Sequence, residues 1–241
     1  MVIAGLQKFT TIDYPGKLAC IVFTPGCNMR CPWCHNPSLV ENTDELELMT
    51  HESVFEFLKS RIGKLDAVVI SGGEPTLQLN LEGFIRKVKE LGFLVEIQTN
   101  GTNPEVIKDL IDKKLLDYVG LDFKVPADEY GWLVPDHSDL FPEWERTFTI
   151  CKESGIDFEV RTTIHSSFFT KEASFSMAKT LSRLGADKWV WQSFHMPPDG
   201  VLDKDLPDGY LNKADVERWR QDVLAILSSL GSKPLEIVMR Y

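Results

Sequence analysis

Short apolar runs alternate with amphipathic helical segments along most of this chain, and this alternation limits the possible folds. Ala67-Val68-Val69-Ile70 is the clearest buried run, and Thr50 is a suitable N-cap for the helix predicted over 51–62. Near-continuous apolar strands joined by helices form parallel sheets. About six such units are too few for a closed eight-fold barrel. We therefore expect an α/β fold, a partial (β/α)6-type open TIM-like barrel, with a doubly wound sheet as the competing architecture.

The other predicted elements follow the same alternation. The first strand is predicted over 18–23, and the later strands over 67–70, 94–99, 118–122, 157–163, 188–192 and 235–238. Further helices are predicted over 81–91, 104–112, 142–153, 170–184 and 213–230. Residues 125–141 are predicted to be an irregular insertion. Because the sequence contains no repeat, low-complexity tract or interdomain linker, we expect 1–241 to form a single domain.

Composition narrows the function classes. The formal net charge is −10 at pH 7, which argues against a large nucleic-acid-binding face. No stretch approaches the roughly 18 apolar residues of a membrane span, so no membrane association is expected. The first eight residues lack the charged start and long apolar segment of a signal peptide. These features predict a cytoplasmic protein.

Three of the five cysteines lie within eight positions, directly after the first predicted strand. Cys27, Cys31 and Cys34 have C-x3-C-x2-C spacing. Thiolates suit soft metal centres, and iron–sulfur clusters are bound by cysteine. Since a cubane cluster has four irons, three protein ligands would leave one iron open to a small molecule. The odd count and the clustering argue against a disulfide framework, and Cys20 and Cys151 are expected to be buried thiols.

Several polar or glycine-rich segments follow the predicted strands. In parallel α/β folds, ligands bind where strands end at their carboxyl termini. We therefore expect an active site at this edge, built from the cysteine loop 24–38, the segments 71–75, 99–101 and 122–124, and residues Arg161 and His195.

These motifs resemble a known superfamily. C-x3-C-x-Trp-C, followed after the next strand by Gly72-Gly73-Glu74-Pro75, is similar to the radical S-adenosylmethionine (SAM) superfamily. The segments 5–16, 34–37 and 122–124 resemble glycyl-radical-enzyme activases, and most of all the activating proteins of anaerobic ribonucleoside-triphosphate reductase. The similarity extends from the N-terminus to about residue 200.

The resemblance implies a role for each matching residue. It assigns Cys27, Cys31 and Cys34 to one [4Fe–4S] cluster whose fourth iron chelates SAM. It places an aromatic side chain beside the cluster and the adenine, and it assigns further side chains to SAM or to the substrate peptide. These residues are Trp33, Gly72, Gly73, Glu74, Thr99, Asp122, Lys124, Arg161 and His195.

Simpler interpretations of the same residues stay open. Zinc could replace the cluster with His35 as a fourth ligand, although adjacent Cys34 and His35 would have difficulty reaching one tetrahedral ion. Glu74 could be a surface residue of a strand-to-helix turn. Trp33 could simply pack in its loop, Asp122 could form strand-end salt bridges with Lys124, and Arg161 could form a similar ion pair.

The cation site of pyruvate formate-lyase activase is not assigned to this chain, and whether one exists stays open. In that enzyme an Asp precedes the Thr-Asn pair, and the corresponding residue in this chain is Gln98, before Thr99 and Asn100.

The implied reaction is reductive cleavage of SAM to methionine and a 5′-deoxyadenosyl radical, which abstracts hydrogen from a glycine Cα of a partner enzyme. The partner implied is a glycyl-radical enzyme, anaerobic ribonucleoside-triphosphate reductase. Because no second cysteine-rich segment lies before residue 71, we expect one cluster, reduced by an external flavodoxin or ferredoxin. The alternatives are a radical enzyme acting on a small molecule or peptide, and a zinc-stabilised binding protein.

Overall fold

Strands and helices alternate in the order that the apolar runs predict. The computed structural model describes residues 1–41, 43–231 and 233–240. Its strands are β1 (Gly5–Thr10), β2 (Ala19–Thr24), β3 (Ala67–Gly72), β4 (Leu94–Thr99), β5 (Tyr118–Asp122), β6 (Asp157–Ile164), β7 (Lys188–Ser193) and β8 (Glu236–Arg240). Its helices are α1 (His51–Arg61), α2 (Leu81–Glu90), α3 (Pro104–Asp112), α4 (Phe141–Ser154), α5 (Lys171–Leu184) and α6 (Lys213–Ser229).

Contacts divide the chain into two compact units. The first unit contains Met1–Asn28, Asn36–Leu121 and Glu143–Phe158. The second unit contains Met29–His35, Asp122–Pro142 and Glu159–Tyr241.

In the first unit, hydrogen bonding follows chain order from β1 to β5. β1 is antiparallel to β2, whereas β2, β3, β4 and β5 pair in parallel. A doubly wound sheet requires a reversal of strand order, and none occurs among these five described strands. The progression therefore matches the barrel-type alternative.

Continuous burial explains why the parallel strands are apolar. The side chains of residues 67–70 are wholly buried, as expected of a strand covered on both faces. The register pairs Thr24 with Gly72, the last residues of β2 and β3. The cysteine loop and the Gly-Gly-Glu turn therefore leave the sheet at the same edge.

The second unit contains β6, β7 and β8 as parallel neighbours. Arg161 lies opposite Val190 in this register. Thr170 caps α5 by accepting a hydrogen bond from Ala173 N at 3.1 Å, and Lys171 forms an ion pair with Asp222 of α6 at 2.6 Å. The insertion predicted to be irregular contains a 3-10 helix over Ala127–Leu133. A short helix of this kind needs no long apolar repeat, so the sequence pattern did not indicate it.

The prediction that the first strand begins at residue 18 is wrong. β1 precedes it and pairs with β2, with Gln7 opposite Ile21. Most of β1 is exposed or half-buried, and Phe9 is 56% exposed, so the segment lacks the apolar run used to find the other strands.

No helix among the described residues is both long enough and apolar enough to cross a membrane.

Candidate active site

The Gly-Gly-Glu turn contacts the start of the cysteine loop through its backbone. Gly73 N donates to Thr24 O at 2.8 Å, and Glu74 N donates to Gly26 O at 2.7 Å. A Cβ at Gly73 would lie 2.0 Å from Gly26 O, and a Cβ at Gly72 would lie 2.4 Å from backbone atoms of Thr24. Gly72 also has φ +121°, which disfavours any L side chain. The glycines thus let two backbone segments approach each other. The sequence analysis had instead expected them to let the backbone approach a ligand.

Glu74 is a buried carboxylate, so its interpretation as a surface residue is wrong. It is 1% exposed. Its Oε1 accepts hydrogen bonds from Thr76 N at 3.1 Å, Thr76 Oγ1 at 2.6 Å and Thr99 Oγ1 at 2.7 Å. Its Oε2 accepts from Asn100 N at 2.7 Å. Burial raises the pKa of Glu74, and these hydrogen bonds, which favour the ionised form, oppose that rise.

Thr99 and Gln98 have identifiable contacts in this region. Thr99 is buried and holds the Glu74 carboxylate, while its own oxygen accepts from Gly101 N at 3.0 Å. Gln98 Oε1 accepts from Ser71 Oγ at 2.9 Å, and Gln98 Nε2 donates to Glu96 Oε1 at 3.2 Å. Gln98 is therefore engaged with its neighbours on the adjoining strand and on its own strand.

Asn28, which follows Cys27, belongs to a ring of three polar side chains; the sequence analysis named Asn100 but missed Asn28, Thr102 and the ring itself. Asn28 Nδ2 donates to Thr102 Oγ1 at 2.9 Å, Thr102 Oγ1 donates to Asn100 Oδ1 at 2.7 Å, and Asn100 Nδ2 donates to Asn28 Oδ1 at 2.8 Å. Gln78 was missed too, although its Nε2 donates to Pro25 O at 2.6 Å. The only local sequence signal that could have indicated the ring is Asn28, an uncharged polar residue next to Cys27.

In the second unit, the Asp122 carboxylate accepts hydrogen bonds from two cationic side chains. Arg161 donates to Asp122 Oδ1 from Nε at 3.1 Å and from Nη2 at 2.7 Å, and Lys124 Nζ donates to Asp122 Oδ2 at 3.1 Å. Burial alone would raise the pKa of Asp122, but the charges of Lys124 and Arg161 outweigh it and hold the pKa below its ordinary value.

Trp33 packs among aromatic side chains of its own unit. It is buried, and its ring centroid lies 4.6 Å from that of Phe168 and 6.2 Å from that of Trp132. Trp33 therefore packs within its own unit, and its place beside a cofactor stays a prediction.

His35 and His195 meet through one hydrogen bond. His35 Nε2 donates to the carbonyl oxygen of His195 at 3.0 Å, and burial lowers the pKa of His35. Asp203 N donates to Pro32 O at 3.0 Å, so the loop after β7 contacts the cysteine loop at two points. The His195 side chain is exposed.

The zinc alternative lacks a ready ligand set. In the described parts of the chain, no three His, Cys, Asp or Glu side chains form a group that could hold one metal ion. The proposed fourth ligand, His35, instead uses Nε2 to bind a carbonyl. A mononuclear tetrahedral site needs ligands that converge on one ion.

The spacing of the three cysteines suits an iron–sulfur cubane. The cysteines of a cubane are bound to different irons, so three thiolates on one loop need not converge on a point. Cys31 is buried, whereas Cys27 and Cys34 are half-buried. Cys20 and Cys151 are buried free thiols, and burial raises the pKa of each to about 12. They therefore stay protonated, as expected of structural thiols.

Two sequence relatives illustrate the similarity. A Methanocaldococcus jannaschii protein, MJ1227, provisionally named a glycyl-radical enzyme activating enzyme, is 39% identical over 208 residues, which cover 85% of this chain and 83% of that protein. The pyruvate formate-lyase-activating enzyme of Streptococcus mutans is 31% identical over 143 residues, covering 55% of this chain and 54% of that enzyme.

A solved structure shares the fold. Streptococcus suis SuiB matches with a TM-score of 0.68 at 14% identity, covering 92% of this chain and 48% of SuiB. The chain thus spans about half the length of this structural neighbour, which has also been solved with S-adenosylmethionine bound. The likeness confirms the expected α/β class of the partial TIM-like barrel type.

A family model agrees with these relatives. The model described as the Radical SAM superfamily matches residues 21–171, more than half of the chain. This span includes the three-cysteine loop and the Gly-Gly-Glu turn whose backbones are in contact. On the family match and on the identity to MJ1227, the chain belongs to the radical SAM superfamily.

Proposed function

We propose that this chain is a radical SAM activase that generates a glycyl radical on a partner enzyme, an anaerobic ribonucleoside-triphosphate reductase. The observation that carries the proposal is the backbone contact of the cysteine loop with the Gly-Gly-Glu turn, where Glu74 N donates to Gly26 O. The identity to MJ1227 over most of its length, together with the motifs 5–16 and 34–37, favours an activase within the superfamily.

Cys27, Cys31 and Cys34 would hold one [4Fe–4S] cluster. When bound and reduced, this cluster with SAM supplies the one-electron chemistry that breaks a sulfonium C–S bond and ends with loss of a hydrogen atom from the partner's glycine. The protein itself would bind SAM, orient it and exclude water from the site.

The Asp122 group is suited to an anionic part of SAM. Arg161 is 5% exposed, and with Lys124 it places two cationic side chains beside Asp122. A carboxylate is attracted to guanidinium and ammonium groups, and more strongly in a partly buried setting than in water. Arg161 would bind the methionine carboxylate, and Asp122 and Lys124 would contact SAM and the substrate peptide.

Glu74 is suited to the methionine ammonium. Its Oε1 already accepts three hydrogen bonds, but Oε2 accepts one, from Asn100 N. A carboxylate oxygen has two lone pairs, so Oε2 can receive a second donor. Thr99 would act through Glu74, which it orients, and Gly72 and Gly73 would contribute backbone atoms.

Trp33 and His195 would contact the adenosine part of SAM. Trp33 is held by Phe168 at 4.6 Å between ring centroids, so its ring has a fixed orientation. The carbonyl of His195 is fixed by His35, which leaves the exposed imidazole to reach a ligand.

Anaerobic reconstitution followed by a SAM-cleavage assay tests the proposal. We expect about four irons per chain, formation of 5′-deoxyadenosine with reduced flavodoxin or ferredoxin, and a glycyl radical signal on the reductase only when this chain and SAM are present. Zinc at about one per chain without iron or sulfide would overturn the enzyme assignment. Cleavage of SAM without a glycyl radical would point to a small-molecule or peptide substrate, and about eight irons would refute a single cluster.

Cysteine variants supply the controls. Replacing Cys27, Cys31 or Cys34 by Ala should abolish 5′-deoxyadenosine formation, whereas Cys20→Ala and Cys151→Ala should retain it. Loss of activity in a well-folded Cys151→Ala variant would show that the ligands are misassigned.

A further inference from the structure

We propose that Asn28, Asn100 and Thr102, the Asn28 ring, are positioning residues that fix the Cys27 segment before any cofactor is bound. This inference rests on the proposed function for its purpose, and on hydrogen bonds within the first unit for its geometry. The three side chains form a closed cycle in which each one both donates and accepts. Asn28 is bonded covalently to Cys27, so the ring fixes the peptide that follows the first cysteine.

A backbone N–H determines which way the hydrogen bonds run around the ring. Thr102 N donates to Asn100 Oδ1 at 3.1 Å, so the Asn100 oxygen must face Thr102 and its amide nitrogen must face Asn28. Asn28 then has to present Oδ1 to Asn100 and Nδ2 to Thr102. Reversing either amide would place two donors against each other.

The ring is attached to rigid structure. Asn100 is 4% exposed and Thr102 is 6% exposed, so both side chains depend on protein partners. Asn100 N donates to the buried carboxylate of Glu74 at 2.7 Å, which joins the ring to the residue proposed for the SAM ammonium. Cycles of this kind strengthen each member by polarisation.

The residues before Cys27 are fixed as well. Gly26 N donates to Leu39 O at 2.7 Å, Gly26 O accepts from Glu74 N at 2.7 Å, and Pro25 O accepts from Gln78 Nε2 at 2.6 Å. Bonds on both sides of Cys27 therefore hold its backbone without using its sulfur.

Preorganisation of this kind predicts two measurable effects. In the cluster-free protein, losing the ring should make local opening of the loop easier, which speeds amide exchange at Gly26. In the reconstituted protein, losing the ring should speed the loss of iron. A less ordered Cys27 segment would lose more conformational entropy when its thiolate binds the cluster.

The test compares Thr102→Val with Thr102→Ser. Valine keeps the shape of threonine without its hydroxyl, and serine keeps the hydroxyl without the methyl group. A role in the ring predicts that serine behaves like the wild type and valine does not. A role in packing alone predicts the opposite order.

Hydrogen exchange of the cluster-free chain is the first measurement. We expect exchange at Gly26 to accelerate about five- to tenfold in Thr102→Val and Asn28→Ala, the effect of losing one net hydrogen bond, and about twofold or less in Thr102→Ser. Exchange in α5, which lies in the other unit, serves as the control and should not change.

Release of iron to a ferrous chelator is the second measurement. We expect several-fold faster release from Thr102→Val and Asn28→Ala than from the wild type and Thr102→Ser. Equal behaviour of the valine and serine variants in hydrogen exchange would overturn the ring. If no variant binds an iron–sulfur cluster, the proposed function fails, and the exchange experiment still decides the ring independently.

Discussion

The guanidinium of Arg161 donates two hydrogen bonds to a single carboxylate oxygen of Asp122, at 3.1 and 2.7 Å. The other oxygen accepts from Lys124 at 3.1 Å. Asp122 is thus the residue that keeps two neighbouring cations together, and Arg161 is buried beside it.

Asp122→Asn should destabilise the fold in a pH-dependent way. The amide removes the negative charge that accepts two hydrogen bonds from Arg161, and we expect a loss of about 2 kcal/mol at neutral pH, below the range for a fully buried pair. The pKa of Asp122 in the folded state lies below its ordinary value of 3.8. The stability it contributes is therefore present above pH 3.8 and lost as the pH falls through the folded-state pKa.

Urea unfolding across a pH series measures this effect. The difference in unfolding free energy between wild type and Asp122→Asn should be constant near neutrality and shrink below about pH 4. Asp199→Asn, which changes an exposed carboxylate in the same unit, is the control and should have nearly the wild-type stability near neutral pH. A gap that stays constant into acid would contradict the assigned ion pairs.

Glu74→Gln should destabilise the protein even though it removes a buried charge. All four groups that contact Glu74 donate hydrogen bonds, and a glutamine amide would turn its own donors toward one or more of them. We expect a loss of about 1–3 kcal/mol in urea unfolding. Glu56→Gln, at an exposed position, is the matched control. A Glu74→Gln variant as stable as that control would contradict the four hydrogen bonds donated to the Glu74 carboxylate.

Gly73→Ala and Gly83→Ala should have effects of opposite sign. A Cβ at 73 meets the Gly26 carbonyl at 2.0 Å, a backbone atom that cannot rotate away, so we expect a loss of about 3 kcal/mol or more. A Cβ at 83 meets nothing within 4 Å on the exposed face of α2, where alanine should stabilise by about 0.5–1 kcal/mol. Thermal or urea unfolding distinguishes the two, and a neutral Gly73→Ala would refute the close approach.

Alkylation of the cluster-free protein at pH 8 should distinguish Cys20 and Cys151 from Cys27 and Cys34. The pKa values of Cys20 and Cys151 are raised to about 12 by burial, so these thiols should react only when the chain unfolds. The half-buried Cys27 and Cys34 should react first, as mass spectrometry of peptides can show. Early labelling of Cys20 in folded protein would contradict its position in β2.

The elements most accurately predicted have clear end signals. β4, α3 and β5 have the predicted bounds, because Asn100-Gly101 stops the first and Pro104 begins the second. β1 could not be found in this way. It is an exposed strand whose stability comes from pairing with β2, and pairing between segments leaves no local apolar pattern.

The same distinction applies to the site. The edge that carries Thr24, Gly72 and Thr99 follows from strand order, so the sequence could indicate it. The contacts of Asn28 with Asn100 and Thr102 join positions more than 70 residues apart, and hydrogen-bond partners at that distance have no sequence signature.

The hydrogen bonds of Glu74 have a consequence for the order of folding. They all come from residues 2 to 26 positions further along the chain, so they close a short loop, whereas the contacts of Asn28 close loops of 72 and 74 residues. Short-range contacts cost less chain entropy and form sooner. The pocket around Glu74 should therefore assemble first, and the cysteine-bearing segment would then attach to a surface that is already complete.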